Sequence, residues 1–147
     1  MDSPGTFRTS RHLAHAPAAV FAAFSDAGTL ASWWGPRDFT NEFEVFDFRA
    51  GGIWKFVMVG PGGSRHPNES RFVRVEPPGL VVIRHVTAPE FTLTVRLTAD
   101  QGGTRVDWTQ AFDDPDVAAA VRPIVEPANE QNLDRLAAAL DRAGSGA

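Results

Sequence analysis

The sequence predicts an α+β fold in which one curved antiparallel β-sheet wraps around a long C-terminal helix. Three observations predict it: strand-like alternation in seven stretches, tight Gly- and Pro-containing turns between most of them, and a long amphipathic stretch near the C-terminus. Strands joined by such short turns pair antiparallel, and a single antiparallel sheet has one apolar face that needs a cover. The C-terminal helix is long enough to supply that cover.

The first strand is expected over 5–16, and Pro17 begins a helix because proline is favoured at the first helical position. A second short helix over 27–34 ends at the Gly35-Pro36 stop signal. The remaining six strands are expected over 39–48, 53–59, 66–75, 80–87, 91–99 and 104–112. The predicted order is therefore one strand, two short helices, six strands and the long helix.

Two prolines, Pro123 and Pro127, lie in the C-terminal stretch. Because proline removes a helical hydrogen bond, we expect a broken segment first and then one long helix over 127–143. The chain has 147 residues, which suits a single domain over 1–147. We expect an ordered core over about 7–140, with frayed ends at 1–4 and 143–147.

Composition excludes several classes of function. The formal net charge of −4 and the isoelectric point near 5.5 argue against nucleic-acid binding. The absence of cysteine excludes disulfides and thiolate chemistry. No apolar run approaches the roughly 20 residues of a membrane span, and the N-terminus lacks a signal-peptide pattern, so a cytoplasmic protein is expected. No metal site or cofactor is expected, and His66 and His85 are expected at the surface.

The two-residue alternation also predicts which strand side chains face the helix. In the third strand the large apolar set is Trp54, Phe56 and Met58, whereas Lys55 points to solvent. The last two strands contribute a second inward set that also contains a glutamine: Phe91, Leu93, Val95, Leu97, Val106, Trp108, Gln110 and Phe112. These side chains are expected to surround a cavity between the sheet and the helix.

Three polar side chains are predicted on this inner face: Arg84, Gln110 and Asn129. A buried polar group without a partner costs about 1–3 kcal/mol, and an unpaired charge costs more. Two interpretations are open. Either the three groups pair within the protein, with Arg84 bound by a carboxylate from the set Glu42, Glu44 and Glu69, or they meet the carboxylate or carbonyl group of a ligand.

Two of the four tryptophans are adjacent in the segment ASWWGP. Neighbouring helical side chains point about 100° apart, so one indole can fill the core while the other borders the cavity. We expect Trp34 to lie nearer the cavity. The alternative is that Trp33 and Trp34 both fill the core.

Five segments in order resemble the bacterial SRPBCC proteins of the heat-shock-protein-90 ATPase-activator homologue type: HAPAAVFAAFSDAGTLASWWGP, FDFRAGGIWKFVMVGPGG, RFVRVEPPGLVV, GGTRVDW and LDRLAAAL. The match spans about residues 7–140. It implies the START-like, helix-grip fold, whose members share a deep cavity under the C-terminal helix but differ widely in function. Two positions depart from the pattern: Arg84 stands where relatives are commonly apolar or aromatic, and Ser70 replaces a usual glycine.

The favoured function is binding of a small apolar or amphipathic ligand, lipid-like molecules included, with an acidic or carbonyl end. The candidate binding residues are Trp34, Trp54, Phe56, Met58, Phe72, Arg84, Phe91, Trp108, Gln110 and Asn129. One alternative is an enzyme, such as a lyase, cyclase or hydrolase, that uses Glu44 or Glu69 as acid–base group. A chaperone cofactor is the least favoured alternative, and exposed sheet edges leave a homodimer open.

Overall fold

The computed structural model describes residues 4–145, with side chains as far as residue 144. The expectation of frayed ends falls in part on residues 1–3 and 146–147, which lie outside the described residues. Within the described chain, no helix is both long and apolar enough to cross a membrane.

Seven antiparallel strands form one sheet in the order β1-β7-β6-β5-β4-β3-β2. Each connection from β2 to β7 joins neighbouring strands, and β1 returns to pair with β7 at the far edge. The strands are β1 (Thr6–Leu13), β2 (Thr40–Phe46), β3 (Ile53–Val59), β4 (Arg65–Glu76), β5 (Leu80–His85), β6 (Phe91–Asp100) and β7 (Gly103–Phe112).

Three helices lie on the inner face of the sheet: α1 (Pro17–Ser25), α2 (Ala27–Trp33) and α3 (Pro115–Ser145). Asp26 separates α1 from α2 and caps α2, because its carboxylate accepts a hydrogen bond of 2.9 Å from the backbone N–H of Thr29. The α+β helix-grip architecture predicted from the sequence is confirmed, with two short helices after the first strand and a long helix at the end.

The C-terminal helix differs from the prediction because it is continuous from Pro115 through both internal prolines. Pro123 and Pro127 are exposed, as is Ala119 one turn before Pro123. The carbonyl groups that lose their helical N–H partners are those of Ala119 and Pro123, and they lie on the solvent side of the helix. Water can satisfy them there, so the prolines do not break the helix.

An aromatic cluster fills one half of the space between the sheet and the helices. Trp54 stacks between Phe56 and Phe72, with ring centroids 4.3 Å and 5.7 Å away. Phe48 packs edge-on against Phe72 and also contacts Phe21 of α1. The predicted site residues Trp54 and Phe72 are therefore core residues of this cluster, and neither borders the open space beyond it.

Candidate functional site

A cavity of about 190 Å³ lies beside the aromatic cluster, between the sheet and the middle of α3. Seven of the ten predicted site residues line it: Trp34, Phe56, Met58, Phe91, Trp108, Gln110 and Asn129. Leu93, predicted only as an inward-facing residue, also lines the cavity. The prediction did not include several further lining residues, among them Asn68, Ser70, Ile83, His85 and Asn132. Most of the wall is aromatic or aliphatic, with polar groups at a few places.

Arg84 does not reach the cavity, which corrects its predicted inward position. It lies on the outer face of the sheet, where its guanidinium donates a hydrogen bond of 2.6 Å to the carboxylate of Asp113. This contact raises the pKa of Arg84 and lowers the pKa of Asp113. Arg84 therefore has an internal carboxylate partner, but that partner is not one of the glutamates proposed for it.

The glutamates considered as acid–base groups are also outside the cavity. Glu42 binds Arg65 at 2.7 Å on the exposed face of the sheet. Glu44 and Glu69 lie 3.9 Å from the cationic groups of Lys55 and Arg71. No carboxylate belongs to the described wall, so neither Glu44 nor Glu69 lies where it could act as an acid–base group in this cavity.

Two of the polar residues predicted on the inner face, Gln110 and Asn129, pair with each other. This agrees with the interpretation that these groups pair within the protein. The side-chain amide of Asn129 donates a hydrogen bond of 3.0 Å to Oε1 of Gln110. One turn further along α3, Asn132 donates to the backbone carbonyl of Trp33 at 2.9 Å. These amides connect the helix to the sheet and to α2 across the cavity.

The two adjacent tryptophans have different environments. Trp33 is 0% exposed and its Nε1 donates to the carbonyl of Ala23 at 3.1 Å, so it fills the core between α1 and α2. Trp34 is 9% exposed and borders the cavity, with its ring 5.9 Å from that of Trp108. The chain turns after Trp34 at Gly35, whose φ of +95° favours glycine.

One arginine of α3 holds the turn that follows the two tryptophans. The guanidinium of Arg135 donates hydrogen bonds of 2.9–3.1 Å to the backbone carbonyls of Ser32, Trp34, Gly35, Pro36 and Phe39. Burial lowers the pKa of this guanidinium, and the nearby Asp38 opposes the shift. Sequence reasoning missed Arg135 because an arginine on a long helix resembles a surface residue.

Trp108 carries a buried hydrogen-bond donor that the described protein leaves unpaired. The residue is 2% exposed and lines the cavity, and its Nε1 has no partner among the described residues. An indole N–H that is withdrawn from water without a partner costs free energy. A hydrogen-bond acceptor that reached Nε1 would remove this cost.

His85 lies in the cavity wall rather than at the surface, which corrects the sequence prediction. It is 8% exposed, and its ring stacks on Phe91 with a centroid separation of 4.5 Å and an interplanar angle of 12°. The cross-strand neighbours of His85 are Ser70 on β4 and Phe91 on β6. Burial lowers the pKa of His85, and the positive charge of Arg84 acts in the same direction.

The lowered pKa of His85 predicts a pH dependence of stability. Below about pH 6.5 the unfolded chain binds more protons at this residue than the folded chain, so stability falls as the pH falls. The loss continues until the pH passes the lowered pKa of the folded state. Urea unfolding curves recorded between pH 5 and 8 measure this dependence of the free energy of unfolding on pH. We expect His85→Gln to remove the loss of stability at low pH, whereas substitution of the exposed His66 in His66→Gln should leave it. The expectation would be contradicted if the free energies of unfolding of the wild type and His85→Gln changed with pH in the same way.

Solved structures of several bacterial proteins share this architecture. A protein from Nitrosomonas europaea is 19% identical and superposes with a TM-score of 0.87, covering 97% of this chain and 98% of that one. A protein from Chromobacterium violaceum is 26% identical, with a TM-score of 0.81 and coverages of 92% and 96%. The AHSA1 protein from Silicibacter pomeroyi is 25% identical, with a TM-score of 0.74 and coverages of 92% and 97%.

A comparison with curated proteins gives no match. The family model of the activator of Hsp90 ATPase homolog 1-like proteins, in contrast, matches residues 14–141. This range contains α1, α2, the strands β2 to β7 and almost all of α3. The chain therefore belongs to the activator of Hsp90 ATPase homolog 1-like family, as its sequence resemblance implied.

Proposed function

We propose that this protein binds a small, mainly apolar molecule with one hydrogen-bond acceptor group in the cavity under α3. The observation that carries the proposal is a largely apolar cavity with a few polar residues in its wall, among them Trp108, whose buried Nε1–H has no partner in the described chain. Ligand sites commonly combine apolar walls with a few polar groups that fix the orientation of the ligand.

The volume of the cavity limits the size of the ligand. An engineered apolar cavity of about 150 Å³ holds one benzene molecule, and the cavity described above measures about 190 Å³. The ligand therefore has about the size of one substituted ring or a short branched chain. A phospholipid or a sterol exceeds this volume, so we narrow the lipid-like ligand expected from the sequence to a smaller molecule.

The wall also limits the charge of the ligand. Its described residues include no lysine, arginine, aspartate or glutamate, so a cationic ligand would find no opposite charge. The polar groups that remain are the indoles of Trp34 and Trp108, the imidazole of His85, the hydroxyl of Ser70 and four side-chain amides. Such a wall favours an acceptor-bearing ligand whose apolar part packs between Trp34 and Phe91.

Calorimetric titration with acetophenone and ethylbenzene tests the proposal, because the two molecules have similar shape but only acetophenone has an acceptor. Trp108→Phe keeps a ring and removes the donor, so it should weaken acetophenone about five- to tenfold and ethylbenzene about twofold or less. Ala128→Phe should abolish binding of both, because Ala128 lines the cavity and the larger ring fills it.

Ala138→Phe is the matched control for Ala128→Phe, since Ala138 is exposed on the same helix. It should leave the affinity of both molecules unchanged. If neither molecule binds the wild-type protein, or if Ala128→Phe and Ala138→Phe bind equally well, the proposed site is wrong.

A chaperone-cofactor role is the second candidate, because the family description refers to an activator of the Hsp90 ATPase. Such a role requires an exposed apolar patch for the partner. The large apolar side chains exposed in the described chain lie apart in sequence, on or next to four different elements: Val45, Val73, Val86 and Ile124. The ligand-binding proposal is preferred because the cavity is a defined site with a described wall.

A further inference from the structure

We infer that the ligand is a small organic acid, bound as its carboxylate together with one proton that His85 holds. This inference rests on the proposed function, because it concerns the same cavity and specifies the acceptor group of the ligand.

The first step is the arrangement of oxygen atoms around the imidazole. Nδ1 of His85 lies 3.0 Å from the backbone carbonyl oxygen of Pro89, which can only accept a hydrogen bond. Nε2 lies 2.6 Å from Oδ1 of Asn68. The amide nitrogen of Asn68 donates in turn to the carbonyl oxygen of His66 at 2.8 Å, which fixes the amide with its oxygen toward the imidazole.

Only a doubly protonated His85 satisfies all three of these contacts. A neutral imidazole that donates from Nδ1 to Pro89 has a lone pair on Nε2, and this lone pair faces the oxygen of Asn68. Flipping the Asn68 side-chain amide by about 180° does not satisfy the contacts either, because the Asn68 oxygen would then face the carbonyl oxygen of His66. With protons on both nitrogens, His85 donates to Pro89 and Asn68, and Asn68 donates to His66.

Thr87 does not decide between the two protonation states. Its Oγ1 lies 3.2 Å from Nε2 of His85 and accepts a hydrogen bond of 3.1 Å from the backbone N–H of Glu69. The hydroxyl proton can point to a neutral Nε2 or to the carbonyl oxygen of Glu69, which is 3.4 Å away. The protonation state of His85 therefore depends on Asn68 and on the charges around the imidazole ring.

The charges around His85 explain why the protonated form needs a ligand. On β5 the neighbouring Arg84 disfavours a second positive charge, while Glu90 in the following loop favours it weakly. From β4 the ionisable residue on this face is His66, whereas Glu69 points to the opposite face beside Arg71. The helix α3 contributes only the neutral amides of Asn129 and Asn132 to the wall. No described carboxylate forms an ion pair with the ring, and burial opposes the charge.

A ligand carboxylate in the cavity supplies the missing negative charge. The indole N–H of Trp108 provides a hydrogen-bond donor for one carboxylate oxygen, and the positive imidazole compensates the charge. When the acid enters in its neutral form, its O–H proton is transferred to Nε2 of His85. When it enters as the anion, His85 takes up one proton from the conjugate acid of the buffer, and the product is the same complex.

The test compares benzoate with benzamide, which has nearly the same shape but no charge. Between pH 6 and 8 benzoate remains ionised, and its affinity should rise by up to about tenfold for each unit by which the pH falls. The affinity of benzamide should stay constant. Calorimetry in two buffers of different ionisation enthalpy should show uptake of up to one proton for benzoate and none for benzamide.

Two histidine variants provide the matched comparison. His85→Gln should remove the pH dependence of benzoate binding, and the exposed His66→Gln should keep it. If His85→Gln fails to fold, the imidazole resonances of His85 in the wild type replace it as the measurement. They should report a protonated ring at pH 7 with benzoate and a neutral ring with benzamide.

The outcomes separate this inference from the proposed function. Binding of benzamide or acetophenone without binding of benzoate would overturn the inference and leave the ligand site intact. Binding of benzoate without proton uptake, or an unchanged pH dependence in His85→Gln, would overturn it as well. Failure of all these probes to bind would contradict the proposed function itself.

Discussion

Replacing Arg135 with alanine is expected to lower the free energy of unfolding by about 3 kcal/mol. Its guanidinium donates to five backbone carbonyls around the turn after Trp34. Alanine would leave several of these partly buried oxygens without a donor, and the cost of an unpaired buried polar group exceeds the net gain from an ordinary hydrogen bond. Urea denaturation monitored by circular dichroism measures the change.

Two variants serve as controls for Arg135→Ala. Arg135→Lys keeps the charge but not the planar set of five donors, so it should recover less than half of the lost stability. Arg74→Ala removes an exposed arginine that binds Glu76 at 2.6 Å, and its effect should be below about 1 kcal/mol. If Arg135→Ala were as mild as Arg74→Ala, the turn would not depend on the guanidinium.

The alternation of apolar side chains was sufficient to predict the sheet and most of the cavity wall. In β3, β6 and β7 one set of alternate residues is clearly larger and more apolar than the other, as with Trp54, Phe56 and Met58 against Lys55. Where the two sets differ so strongly, the buried face follows from the hydrophobic effect alone. The structure places these sets on the inner face.

In β5 the same reasoning gave the wrong face, because both sets are apolar. Leu80 and Val82 alternate with Val81 and Ile83, and all four are buried. The cross-strand pairing of His85 with Phe91 decides the orientation, since Phe91 belongs to the inward set of β6. Strand pairing is not visible in the composition of one strand, so Arg84 was placed in the cavity and His85 outside it.

The polar contacts of the site could be predicted only in part, because they join segments that are distant in the sequence. The pairing of Gln110 with Asn129 could be proposed from the sequence, because both residues fall on predicted inner faces. The role of Asn68 could not, since its amide is fixed by the carbonyl of His66 and by the ring of a residue on the next strand. Such hydrogen bonds depend on register and rotamers, which a periodic pattern does not specify.

The two adjacent tryptophans should respond very differently to truncation. Trp33→Ala is expected to cost about 4 kcal/mol of folding free energy, because it removes a fully buried indole and leaves the carbonyl of Ala23 without its donor. Trp34→Ala should cost about 2 kcal/mol, since that ring already borders open space and its loss mainly enlarges the cavity. Denaturant titration of both variants measures the difference.

Substitutions at the same two positions should affect ligand binding in the opposite order. Trp34→Ala enlarges the binding cavity, so it should admit bicyclic molecules such as naphthalene that the wild type excludes, while weakening acetophenone about tenfold. Trp33 does not line the cavity, so Trp33→Phe, chosen to preserve folding, should leave acetophenone binding within about twofold. Equal effects of the two positions on both stability and ligand size would mean that Trp33 and Trp34 serve a single packed core, and the division between a structural and a cavity-facing indole would be wrong.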